Sequence, residues 1–221
     1  MFIATHKKIA AYAYDMISFS TQCLINKDSY IEGSYFPDTN IKYTVVAHEY
    51  KRTIGIVEEK IDEILSSRHA PDVLGRNLGI VSHFVADYCS PYHTNDKYRK
   101  QSLVKHLAYE KQTNDIVDKI LNNINRFTHT QPYPLYFNTL SEDLKSFIQI
   151  DMQSQKCMEK EVTYAAINTI RVVNMIMDRY ISLYHMDDAY SASGKYEIPS
   201  ADYYTMYNIS DDGMYEDADY L

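Results

Sequence analysis

The chain is predicted to fold as an all-helical bundle, on three observations. Apolar residues recur at three- and four-residue intervals in several segments, no stretch alternates in the two-residue rhythm of strands, and turn residues fall between the periodic segments rather than inside them. Helices joined by short breaks, each with one apolar stripe, bury those stripes against each other.

Taken in order, Ile9, Tyr12, Ala13, Met16 and Ile17 form the stripe of a first helix. The segment GSYFPD, Gly33 to Asp38, carries turn residues and interrupts the pattern. Ile54, Val57, Ile61, Ile64 and Leu65 mark the next helix, and HAPD, His69 to Asp72, ends it before another begins near Val73. That helix carries SHFVADY, and Ser90-Pro91 breaks it because proline lacks the amide hydrogen the helix needs. A helix starting between Asp96 and Ser102 carries HLAYE. TQPYPLYFN, Thr130 to Asn138, reads as a loop, after which Ser141 can cap a helix with Leu144, Phe147, Ile148 and Met152 on its stripe. The apolar segment from about Val162 to Tyr184 closes the bundle. No internal repeat is present.

With 221 residues and 45% apolar composition, the chain has enough material for one domain with a full core, placed at 1–185. The remainder, 186–221, is different in kind. It holds nine of the chain's 30 carboxylates against Lys195 alone, which leaves 21 acids and 21 bases in the first 185 residues. It also holds seven tyrosines, among them Tyr203, Tyr204 and Tyr207. A solvated acidic tail is the simpler reading; the sharper one docks the tyrosines on the body of the chain or on a protein partner. A net charge of −8 argues against a basic nucleic-acid groove.

Cys23, Cys89 and Cys157 are odd in number and widely spaced, which fits free thiols in a reducing compartment. The amino terminus lacks the apolar core of a signal peptide, and no run is long and apolar enough to span a bilayer, so a cytoplasmic location is expected.

Five histidines and three carboxylates stand out in the first half. His83 and Asp87 lie four apart on one helical face, as do His106 and Glu110, with His93 just past the proline break. His6, Asp38 and His48 complete the set. Imidazole and carboxylate suit zinc, and such pairs on neighbouring helices can converge on an ion. His69, His129 and His185 are left as ordinary histidines.

The order His6, Gly33-Ser34-x-x-Pro37-Asp38, His48, His83-x-x-x-Asp87-x5-His93, His106-x-x-x-Glu110 resembles the zinc-dependent phospholipase C superfamily, which also contains single-strand nucleases. The resemblance covers about 1–111 by motif and implies an all-helical fold around two or three zinc ions. It implies that Asp38, His48, His83 and Asp87 hold one zinc and His93, His106 and Glu110 a second, with His6 on a third that Asp87 bridges to the first. In the family an amino-terminal tryptophan completes that third site. This chain has no tryptophan, and Met1, five residues before His6, is the expected replacement.

The activity implied is phosphodiester hydrolysis, zinc activating a water that attacks phosphorus, with Asp38 as general base as well as ligand. Choline-selective members carry aromatic residues where this chain has Thr39 and Val45, which argues against phosphatidylcholine. The substrate expected is a phospholipid or its head group rather than nucleic acid. The alternatives are a single-strand nuclease-like phosphodiesterase and a metal-stabilised binding protein without turnover.

Overall fold

A computed structural model describes residues 1–46, 48–94, 98, 102–124 and 158–184. Among these residues there are ten helices and no strand. They are α1 (Ile3–Met16), α2 (Phe19–Leu24), α3 (Lys27–Gly33), α4 (Phe36–Thr39), α5 (Ile41–Thr44), α6 (Tyr50–Ser66), α7 (Pro71–Tyr88), α8 (Pro91–Thr94), α9 (Leu103–Asn123) and α10 (Met158–Tyr184). The all-helical expectation is met. The acidic tail, the Thr130 to Asn138 loop, the helix capped by Ser141, Cys157, His129 and His185 lie outside the described residues.

α7 is the axis of the fold. Every residue from Asn77 to Tyr88 is buried, as expected for a helix that is apolar nearly all round and therefore has partners on every side. α1, α3, α6 and α10 all pack against it. The two polar edges of this helix are answered inside the core: Ser82 Oγ lies 3.0 Å from the Tyr30 hydroxyl, and the Tyr88 hydroxyl lies 2.9 Å from Thr53 Oγ1. Without such partners each buried hydroxyl would cost about 1–3 kcal/mol.

Glycine sets the distance between α3 and α7. A Cβ on Gly79 would stand 2.2 Å from the Tyr30 carbonyl oxygen, one on Gly75 2.7 Å from that of Asn26, and one on Gly33 2.3 Å from that of Arg76. Only residues without side chains admit backbones this close. The approach matters for the site, because Gly33 is followed by Ser34 and Asp38, and Gly79 lies one turn before His83.

The expected stripes of α1 and α6 face the core, with Ile9, Ala13, Val57, Ile61 and Ile64 buried. α7 begins at Pro71, two residues earlier than expected, since a proline at the first helical positions loses no hydrogen bond. α2 and α3 escaped the periodic reading. They are six and seven residues long, too short for a repeating stripe, and rest on caps: Ser18 accepts from the Thr21 amide and Asn26 from the Ser29 amide. Past the Ser90-Pro91 break the chain makes the short turn α8, and Ser102 caps α9 through the Lys105 amide.

Gly79→Ala is expected to destabilise the fold by about 1–3 kcal/mol or more, as overpacking against backbone does. Urea unfolding reads it, and an unchanged midpoint would contradict the close-approach account. Gly55→Ala, where an added Cβ meets nothing within 4 Å, is the matched control.

Candidate metal centre

The site lies at the carboxyl-terminal end of α7. His83 and Asp87 sit one turn apart on the same face, both with side chains wholly out of water. The Gly-Ser-x-x-Pro-Asp segment supplies the next layer. Gly33 brings α3 onto α7, the Ser34 carbonyl accepts a hydrogen bond from His83 Nδ1 at 2.9 Å, and Pro37 opens the short helix that carries Asp38. With its proton on Nδ1, His83 turns a bare Nε2 lone pair into the site. His93 is oriented in the same way, donating from Nδ1 to the His48 carbonyl at 2.9 Å.

Four donor atoms form the innermost group. His48 Nδ1 lies 3.1 Å from His83 Nε2, 3.2 Å from Asp87 Oδ2 and 3.6 Å from Asp38 Oδ1. His83 Nε2 lies 3.4 Å from Asp87 Oδ2 and 3.7 Å from Asp38 Oδ1. Four ligands placed tetrahedrally about 2.0–2.1 Å from a zinc ion are about 3.3–3.4 Å from one another. The separations bracket that edge length.

Asp87 divides its two oxygens. Oδ2 faces the group just described, while Oδ1 lies 3.2 Å from His6 Nε2, 2.9 Å from the Met1 amine and 3.6 Å from His93 Nε2. On the far side, His106 Nε2 stands 2.8 Å from Glu110 Oε1, and the Met1 amine lies 3.2 Å from that oxygen and 3.4 Å from His93 Nε2. Three sets of possible donors thus converge: His6, His83 and Asp87; Asp38, His48 and His83; His93, His106 and Glu110, each with donor atoms within 4.8 Å of one another. All eight residues singled out in the sequence, and Met1, meet at one place. His69 stands apart, its ring Nε2 2.9 Å from the Glu63 carbonyl oxygen. Cys89 is buried against Val85, and Asn168 Nδ2 lies 3.6 Å from its sulfur, a packing role.

Ligation needs neutral imidazoles and ionised carboxylates; the electrostatics favour those forms at His83, His93, Asp87 and Glu110, and the protonated forms at Asp38, His48 and the Met1 amine, which would release a proton to an ion. Burial, reinforced by His6, takes the His83 imidazole well below its usual range, and burial brings His93 down to about 4. Burial would raise Asp87, but His93, the Met1 ammonium and His83 outweigh it and hold the carboxylate ionised. Glu110 is likewise brought down to about 2, the adjacent His106 and the Met1 ammonium overcoming its burial. Asp38 is pushed up, by burial first and then by repulsion from Asp87. His48 rises because the bond and charge of Asp87 overcome its burial. For the Met1 amine too, burial is opposed by Asp87, Glu110 and Asp38, which drive it up to about 11.

The residues fit a metal. The buried His6 Nε2 and Asp38 Oδ2 have no hydrogen-bond partner, a costly condition that a coordinated ion would relieve. An ammonium already occupies the gap between Asp87, Glu110 and His93, as a cation would.

Glu161 was not anticipated. It is 1% exposed on α10 and receives a short hydrogen bond from the Tyr109 hydroxyl and a second from Ser90. Tyr109 adjoins Glu110 and Ser90 lies between Asp87 and His93, so Glu161 braces both halves of the centre from behind. A signal was present: Glu161, Ala165 and Thr169 share one buried face at four-residue spacing, an improbable place for an unpartnered carboxylate.

A family model described as zinc dependent phospholipase C matches residues 5–187. No curated protein and no solved structure matches the chain.

Two outcomes are expected. Zinc at about 100 times its dissociation constant raises stability by about 2.7 kcal/mol, so melting should shift upward with zinc and return with a chelator; a midpoint indifferent to both would contradict the fit. Burial raises Glu161 from 4.5 to about 7, against the hydrogen bonds of Tyr109 and Ser90. The folded state therefore binds the proton more tightly than the unfolded chain, and stability falls as pH rises from about 4.5 to about 7. In Glu161→Gln that decline should be smaller by a few kcal/mol, measured by urea unfolding in chelator; equal slopes would show that the carboxyl is not strained.

Proposed function

Since the chain belongs to the zinc-dependent phospholipase C family, we propose that this centre binds zinc and hydrolyses the phosphodiester bond of phospholipids. The observation that supports this most directly is the cage of Asp38, His48, His83 and Asp87, spaced as tetrahedral ligands are, beside a second cluster on His93, His106 and Glu110. In this reading Asp38, His48, His83 and Asp87 hold one ion and His93, His106 and Glu110 another. His6, the second oxygen of Asp87 and the Met1 amine hold a third.

When bound, zinc lowers the pKa of water to about 7 and neutralises charge on phosphate oxygens. The chain's own residues do the rest. His83 and His93 are locked by their carbonyl partners so that the lone pairs stay aimed inward, which removes reorganisation from the cost of binding. Asp38 keeps 21% of its side chain exposed and its Oδ1 faces His48 and His83, so it can ligate there and take a proton from water at the open side. α7, buried behind the centre, admits no solvent from that direction.

The substrate class is read from the family together with charge: with 21 acids and 21 bases, residues 1–185 lack the net positive charge that attracts polyanions such as nucleic acid. Thr39 and Val45 are both exposed and offer no aromatic face to a quaternary ammonium, so the reading favours head groups other than choline.

The test assays phosphatidylethanolamine, phosphatidylcholine, single-stranded DNA and bis-p-nitrophenyl phosphate, each with and without chelator. Chelator-sensitive release of diacylglycerol is the expected result; turnover of DNA alone would assign the nuclease branch, and none at all a binding protein. Asp38→Asn should lower kcat by about 10²–10⁴-fold. Protein starting at Met1 should bind one zinc more than protein with residues added ahead of it; equal zinc content would remove the Met1 amine from the ligand set.

A further inference from the structure

The centre is sealed unevenly. His6, His83 and Asp87 are at most 1% exposed in their side chains, whereas Asp38 keeps 21% and His106 27%. The segments that bear these open residues also bear bare apolar side chains: Ile41 at 80%, Val45 at 75%, Leu103 at 69%, Val104 at 75% and Leu107 at 46% exposure. Among the described residues nine large apolar side chains are exposed, and these five each lie within three residues of Asp38, His48 or His106. Clustering of that kind is what distinguishes an interaction surface from scattered exposure.

The core formed by the described residues does not account for them. The buried stripe of α9 runs through Thr113, Val117, Ile120 and Leu121, well beyond Leu107. Lys42 and Lys105, both exposed, stand among the apolar residues, and neither is ion-paired with a carboxylate among the described residues. Apolar side chains interleaved with lysines match a phospholipid surface, where head-group phosphates meet the ammonium groups and the apolar tips enter the layer beneath. A protein seated here would cover the mouth of the centre, whereas a membrane supplies its substrate. No helix among the described residues is long and apolar enough to cross a membrane.

We infer that the rim formed by Ile41, Val45, Leu103, Val104 and Leu107 docks the protein on the surface of a phospholipid bilayer, with Lys42 and Lys105 contacting anionic head groups. The inference rests on the phospholipid reading of the centre, but its test does not need turnover.

The experiment sediments the full chain with vesicles of phosphatidylcholine and phosphatidylethanolamine containing a minor fraction of phosphatidylserine, comparing wild type with the triple variant Ile41→Gln, Leu103→Gln, Val104→Gln. All three residues are exposed and none is assigned to the metal, so equal melting temperatures and zinc content verify the fold. Wild type is expected to co-sediment, and the variant to bind about tenfold or more weakly. The variant should also lose hydrolysis of vesicle lipid in proportion while cleaving bis-p-nitrophenyl phosphate at the wild-type rate.

Wild type that does not co-sediment, or a variant that binds as well as wild type, would overturn the proposal. A dimer of wild type that the same substitutions dissociate, without vesicle binding, would assign the rim to a second copy and overturn it too. Vesicle binding that the variant loses, with no hydrolysis of any lipid, upholds the docking surface and removes the phospholipase reading of the centre.

Discussion

A carboxylate with no contact to water must find compensating charge or donors for both of its oxygens, and Asp87 is such a group. Its Oδ2 meets His48 and His83, while its Oδ1 meets His6, His93 and the Met1 amine. Five residues are thereby drawn to one side chain, His83 from the same helix and Met1 with His6, His48 and His93 from three other segments. Losing a group in that position leaves two donor sets without their common member, which is why the arrangement reads as a built site rather than a chance meeting of polar residues.

The helix that carries Asp87 has to be buried for this to work, and glycine makes that possible. Gly33, Gly75 and Gly79 let α3 lie backbone against backbone on α7. Once α3 is that close, the carbonyl of Ser34 falls within reach of His83, and Asp38 follows on the next short helix. The motif from Gly33 to Asp38 is therefore a single mechanical unit, in which one residue sets the distance, one orients an imidazole and one presents a carboxylate. Glu161 acts from the opposite side, where Tyr109 and Ser90 tie α10 to the flanks of the centre. A raised carboxyl in that place is a cost the fold carries in order to brace those flanks.

The sealed floor and the open rim of the centre divide its tasks. His6, His83 and Asp87 sit where water cannot compete for their lone pairs, while Asp38 and His106 face outward, where a substrate must enter. The exposed apolar residues belong to the outward half. On the proposed reading, chemistry at a phosphodiester and contact with the surface that bears it would be adjacent tasks of two short segments, α4–α5 and the first turns of α9.

Helical character, the long helices α1, α6, α7, α9 and α10, and the pairs His83 with Asp87 and His106 with Glu110 could be read from the chain alone; His6, Asp38, His48 and Met1 joined them through the order of a family motif. Periodic apolar residues announce helices of several turns, and histidines in four-residue register with acids announce a shared face. The short helices α2 and α3 could not be read, because fewer than two turns leave no period. Nor could Glu161, whose partners are 52 and 71 residues away in sequence. Which oxygen of Asp87 faces which imidazole, which residues stay open to solvent, and which apolar side chains remain uncovered were decided only by packing. Those properties belong to distances between helices, and local sequence carries no record of them.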